Sequence, residues 1–188
     1  RPFSPAVRVG NLIFLSGQIG ARMENGAMVL VPGGGAPTIK AMGDPVIGDY
    51  LRRVAGTSEL VGSVCTGAMI LAAAGLLEGR NATTHWSHHR LLERLGATYL
   101  PERWVEDGKV ITSAGVSAGI DLALALVARL TDEPTARMVQ LWIEYDPHPP
   151  FAGIDWTQVD RDMAEPVVTQ WVQTQLADRP DLLAKLSG

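Results

Sequence analysis

The stretch Leu60–Leu77 reads LVGSVCTGAMILAAAGLL and carries Cys65, the single cysteine of the 188-residue chain. A short apolar run with two valines precedes the cysteine, and a run rich in alanine and leucine follows it. That change of composition predicts a strand over Leu60–Val64, a turn at Cys65-Thr66-Gly67 and a helix over Ala68–Leu77, with Gly79 as its C-cap. A thiol at such a junction has two readings. It can be a small buried hydrophobe, the usual fate of a free cysteine. It can also be a nucleophile, because unpaired N–H groups and the helix dipole at a helix N-terminus favour the thiolate and lower the thiol pKa. Gly67 then leaves backbone room for a substrate to approach the Thr66 N–H, an oxyanion donor by position.

Working outward, the same strand, turn and helix order appears just upstream. Ala27–Val31 (AMVLV) reads as a strand entering the Pro32-Gly33-Gly34-Gly35 loop. Asp44-Pro45 then opens a helix with an apolar stripe of Val46, Ile47, Tyr50, Leu51 and Val54. Consecutive βα units imply a parallel sheet. Downstream, Thr84 is the expected cap of a helix carrying Leu91, Leu92 and Leu95 and ending at Gly96. Asp107-Gly108 joins strands at Trp104-Val105 and Val110–Thr112. A third unit ends in a helix over Ser117–Leu130, apolar nearly all round and so expected in the core, followed by a helix near Thr135–Glu144. The tail from Asp146 opens as a proline-rich extended segment, and Trp156 and Trp171 suggest that it packs over the domain or a partner subunit. Residues 1–20 break the rhythm: VRVGNLIFLSGQIG reads as a hairpin about Gly10-Asn11, expected to add antiparallel to the sheet edge.

Composition narrows the function. The formal net charge is −4, without a basic stripe, so neither nucleic acid nor an anionic membrane surface is an expected partner. No apolar run approaches the ~20 residues of a bilayer span, and one cysteine forms no internal disulfide; a reducing cytoplasm is the expected setting.

Three further patterns compete with Cys65. His85, His88 and His89 lie at helical spacing, but no cysteine or carboxylate joins them by motif, so a solvated helix face is preferred to a metal site. Gly115–Gly119 (GVSAG) matches the serine-hydrolase elbow, with Asp146 and His148 following in hydrolase order. Ser117 has a sufficient role as helix N-cap, and the chain is short for that fold. Gly33-Gly34-Gly35 matches neither of the two nucleotide-loop spacings.

VPGGG at Val31–Gly35, SVCTGAMILAAAGLLEGRNATTHW at Ser63–Trp86 and ITSAGVSAGIDLALALVARL at Ile111–Leu130 together resemble the ThiJ/PfpI superfamily, which has a glutamine-amidotransferase-like fold. Within it, Cys-Thr-Gly, the ATTHW segment and VQLWIEYDPHPPF at Val139–Phe151 are most similar to the isocyanide hydratases. The resemblance implies an α/β three-layer sandwich of flavodoxin-like type over residues 27–152, with a helical tail over 153–188. It implies hydration of an isocyanide to an N-substituted formamide, with Cys65 as nucleophile, Thr66 as partner, and Gly33, Gly34, Gly67, Gly115 and Val116 around substrate and oxyanion. His85 becomes a candidate cleft residue. No metal or organic cofactor is implied; the expected partners are a small-molecule substrate and a second copy in a homodimer. In the family a first βα unit supplies an acid to the nucleophile. Here residues 1–20 instead resemble the opening of RidA-type deaminases, and none of Glu24, Asp44, Asp49 or Glu59 maps onto that acid. The same SVCTGA and ATTHW segments resemble the sensory half of AraC-type regulators, so a catalytically inactive small-molecule-binding domain is the alternative.

Overall fold

Three parallel strands carry the middle of the molecule in the computed structural model, which describes residues 6–9, 12–15 and 28–186. They are β3 (Met28–Val31), β4 (Leu60–Val64) and β8 (Val110–Ser113), and β7 (Trp104–Asp107) closes one edge antiparallel to β8, in the order β3-β4-β8-β7. Register is set by the apolar pattern: Val31 pairs with Ser63, and Ser63 with Thr112, so the three strands end level. Their C-terminal ends are where the loops carrying chemistry emerge, as parallel α/β sheets require. The N-terminal hairpin forms, with β1 (Ala6–Val9) antiparallel to β2 (Leu12–Leu15), but it makes its own two-stranded sheet rather than extending the main one. The antiparallel edge belongs to β7, which is joined to β8 through Gly108 at φ +63°. The N-terminal hairpin's predicted turn residues Gly10 and Asn11, like Ala27 and Glu24, lie outside the described residues.

Alternation along the strands sorts side chains into two cores. Val29, Val31 and Val61 face the larger one, with α1 (Ala36–Met42), α2 (Pro45–Thr57), α3 (Gly67–Ala73) and α4 (His89–Arg94) supplying Ile39, Leu51, Met69, Leu71 and Leu92. Helices α7 (Glu165–Gln175) and α8 (Pro180–Leu186) complete that layer with Val168, Val172, Leu176 and Leu186, and Trp171 packs against it. On the opposite face Leu60 and Ile111 form a smaller cluster with Leu122 and Leu126 of α5 (Val116–Leu130), against which Met28 and Val64 pack. A short two-stranded sheet of β5 (Asn81–Ala82) and β6 (Thr98–Tyr99) flanks the main one.

Several local expectations change. The segment after Gly35, to which the sequence pattern assigns no element, forms α1, since Pro37 suits a first turn. Helix α3 stops at Ala73 rather than Leu77, because Gly75 takes φ +78° and breaks the ladder. Helix α5 is not surrounded by core: only Ala118, Leu122 and Leu126 are buried, while Val116 is 78% exposed and Leu130 51%. The physical reason is that α6 (Glu133–Trp142) is its main helical neighbour among the described residues, and α6 itself exposes Met138, Leu141 and Trp142. No helix among the described residues is long and apolar enough to cross a membrane.

Candidate active site

Strand β4 delivers Cys65 to the sheet's C-terminal edge, and there the backbone reverses into α3. Cys65 adopts φ +58°, a left-handed conformation that costs a residue with a Cβ roughly 1–2 kcal/mol. Surrounding bonds hold it. Its N–H donates to the carbonyls of Ser113 (3.1 Å) and Ala114 (3.0 Å), and its own carbonyl accepts from the Thr84 hydroxyl at 3.0 Å. Thr84 is therefore an anchor of this turn, not a helix cap; His85 caps the following 3₁₀ turn, Trp86–His88, through Nδ1. The thiol is half-buried.

Around Cys65 the loop after β3 closes at very short range. A Cβ on Gly67 would stand 2.2 Å from the Val31 carbonyl oxygen, and one on Gly33 would stand 2.7 Å from the Thr66 nitrogen and 2.8 Å from the Cys65 Cβ. Only glycine permits this approach. The Thr66 hydroxyl donates to the Gly34 carbonyl at 2.6 Å and accepts from the Gly34 N–H at 2.9 Å, so one buried side chain ties the loop to the turn. This alters the expected anion nest. Pro32 has no N–H, and that of Gly34 is spent on Thr66. The Thr66 N–H remains as the backbone donor that acts on the sulfur.

Electrostatics also depart from expectation. Burial pushes the Cys65 thiol up, and the opposing pull of the Thr66 N–H and hydroxyl does not overcome it. The expected fall in thiol pKa at the helix N-terminus is not found. The helix is only seven residues long, and desolvation of a thiolate outweighs its few aligned dipoles. No described carboxylate is among the groups that act on the thiol.

A cleft of about 510 Å³ adjoins this turn through Thr84 and Ala114, which bond the Cys65 backbone; it is walled by Thr84, His85, Ala114, Gly115 and Val116 on the near side and by Tyr99, Ile154, Trp156 and Arg161 on the far side, and Cys65, Thr66, Gly33, Gly34 and Gly67 themselves do not line it. His85 lies against Gly115, where a Cβ would be 3.1 Å from its Cδ2. Its Nδ1 is 2.7 Å from Ser87 Oγ, and that hydroxyl is also 2.8 Å from His88 Nδ1. His88 is buried, and burial together with neighbouring His85 holds its pKa down to about 4. His89 turns away, with Nδ1 on the Trp86 carbonyl and Nε2 3.2 Å from Asp162. His85 and His88 thus share Ser87 while His89 points elsewhere, and no group of three metal-ligating side chains gathers among the described residues.

Sequence reasoning placed Cys65, Thr66, Gly33, Gly34 and Gly67 at one turn, and these the structure brings together. Gly115, Val116 and His85 line the adjacent cleft. The serine alternative separates: α5 starts at Val116 with Gly115 as its cap, so Ser117 is not the cap, and exposed His148 bonds the Asp146 carbonyl rather than Ser117. Thr84, Ser87 and the far wall were missed. Trp156 was singled out in the tail, but nothing local in the sequence ties it to Arg161 and Tyr99.

Comparison with known proteins agrees with this geometry. The chain is 48% identical over 124 residues to an isonitrile hydratase of Pseudomonas putida, covering 66% of this chain and 54% of that protein. It is 36% identical over 94 residues to the HTH-type transcriptional regulator GlxA of Rhizobium meliloti, covering 49% of this chain and 29% of the regulator. The chain thus spans about half, or less, of the length of these curated relatives. A crystal structure of a ThiJ/PfpI family protein from Pseudomonas syringae superposes with a TM-score of 0.66 at 35% identity, over 86% of this chain and 64% of that one. The sequence profile of the DJ-1/PfpI family matches residues 13–129, and with β4, the strained Cys65 turn and α3 all inside that match, the chain belongs to the DJ-1/PfpI family.

Proposed function

We propose that the chain hydrates isocyanides to N-substituted formamides, with Cys65 as nucleophile and Thr66 as its partner. The observation that carries the reading is the left-handed turn at Cys65, which holds a half-buried thiol at the Thr66 N–H and is bonded through its backbone to Thr84 and Ala114 of the cleft wall. Similarity to the P. putida isonitrile hydratase supports it. A thiol held protonated suits this chemistry. As the sulfur bonds the terminal carbon of R–N≡C, the S–H proton ends on that carbon, giving the thioimidate R–N=CH–S–Cys. Water then adds, its oxygen to the carbon and one proton to nitrogen. Collapse of the tetrahedral adduct breaks the C–S bond, returns the hydroxyl proton to sulfur and releases R–NH–CHO. The Thr66 N–H, which acts on the sulfur in the resting site, is the donor for the oxygen of that adduct.

The test is n-butyl isocyanide with wild type and Cys65→Ala side by side, reading N-butylformamide by mass spectrometry. Product from the wild type alone supports the proposal; equal product from both removes it. Product from neither favours the second reading, a small-molecule-binding domain. Two observations speak for that reading: similarity to a transcriptional regulator, and a thiol on which no described carboxylate acts.

A further inference from the structure

The far wall of the cleft carries a cation that nothing in the proposed chemistry uses. Arg161 Nη1 donates to the Tyr99 hydroxyl at 2.8 Å, and its guanidinium lies over the Trp156 ring, 5.0 Å from the centroid. Among the described residues it forms no ion pair, whereas the other cleft arginine, Arg103, is held by both Nε and Nη2 on Asp121. Asp121 is further engaged by the Tyr145 hydroxyl at 2.8 Å. Arg103 is therefore neutralised in place, and Arg161 is not. An arginine stacked on an indole and fixed by a phenol has already lost much of its rotamer freedom, so binding an anion orders little more. Glu102 stands exposed in the same lining, also without an ion pair. The cleft is thus not a uniformly positive funnel, and recognition must come from the fork of one guanidinium. The same lining carries the apolar and aromatic side chains of Trp86, Ile120 and Ile154.

We infer that this cleft selects ligands with an apolar body ending in a carboxylate, which Arg161 binds with the guanidinium N–H groups left free by Tyr99. A carboxylate presents two oxygens at the spacing of that fork, and the charge-assisted pair sits over an aromatic face that limits hydration. For the hydratase reading this names the substrate class: isocyanides whose substituent carries a terminal carboxylate. The inference rests on that reading only for the isocyanide end; the carboxylate subsite stands on the cleft.

The experiment has two arms. In the first, kcat/KM is measured for 4-isocyanobutanoate and n-butyl isocyanide. In the second, binding of 4-formamidobutanoate and N-butylformamide is measured by calorimetry, which needs no turnover. The carboxylate member of each pair is expected to be favoured by about tenfold, an ordinary yield for one charge-assisted contact. In Arg161→Gln the ratio is expected to fall to about one, and in Arg161→Lys to recover in part, since the charge returns without the fork. Thermal melts of both variants report whether the fold is intact. A tenfold binding preference with no turnover of either isocyanide supports the subsite and removes the hydratase reading. Turnover of both isocyanides at equal kcat/KM, equal binding of the two formamides, or binding of neither overturns the inference. So does a preference that survives in a folded Arg161→Gln.

Discussion

Replacing Thr66 by valine tests the link between the glycine loop and the nucleophile turn. Thr66 is 2% exposed, and its hydroxyl makes a reciprocal pair with Gly34, donating at 2.6 Å and accepting at 2.9 Å. Valine keeps the branched shape, so no cavity opens and the cost is that of the polar contacts. Each neutral hydrogen bond contributes about 0.5–1.5 kcal/mol net. Gly34 is exposed, so water replaces part of what is lost. The sum is then about 1–2 kcal/mol, or a fall in Tm of about 2–8 °C for a chain of this size. The same substitution removes the Thr66 hydroxyl's pull on the thiol, while burial, which pushes it up, remains. Cys65 ionisation therefore moves to still higher pH. Scanning calorimetry reads the first effect and the rate of iodoacetamide alkylation against pH reads the second, with Thr66→Ser as the control that keeps both. A Thr66→Val protein melting within about 1 °C of wild type, with an unmoved alkylation profile, would refute the claim that this hydroxyl holds the loop to the turn.

Two other outcomes follow from the same geometry. Gly67→Ala sets a Cβ 2.2 Å from the Val31 carbonyl and 2.9 Å from Pro32 backbone atoms, which cannot swing aside as a side chain would; a loss of at least about 1–3 kcal/mol is expected in urea unfolding. Gly56→Ala in α2 meets nothing within 4 Å and should instead stabilise by about 0.5–1 kcal/mol, so equal effects of the two would contradict the steric account. His88 governs acid sensitivity. Its pKa is about 4 in the fold against 6.5 when exposed, so its contribution is complete above 6.5 and is lost as pH falls towards 4, by about 3 kcal/mol. Urea midpoints at pH 7 and 4.5 should therefore converge in His88→Phe, and an unchanged pH dependence in that variant would show that another group controls acid unfolding.

Local sequence was enough to read the turn chemistry and the order of the βα units. The apolar run at Leu60–Val64 is too short for a helix and buried as a strand over Leu60–Ser63, Asp44 caps α2 by accepting from the Val46 N–H at 2.8 Å, and Gly108 takes the positive φ of a hairpin turn. These features depend on neighbours within a few residues, so propensity and spacing carry them. Helix α1 escaped notice because PGGGAPT reads as loop by composition, and packing of Ile39 and Met42 into the core is what makes it helical. The apolar α5 gave no hint that one side would lie open, since which face finds a partner depends on layers that the strand order alone assembles.

The sequence by itself placed Cys65 between a strand and a helix and surrounded it with the glycines that a close backbone approach needs, because a residue's conformational range is a local property. Its ionisation was a different matter. Whether the helix dipole or desolvation prevails depends on how deeply the sulfur sinks and how long α3 runs, and tertiary packing decided for desolvation. The same holds for Arg161, Tyr99 and Trp156: residues separated by up to 62 positions become one wall of a cleft only when the tail folds back over the sheet, and no spacing rule spans that distance.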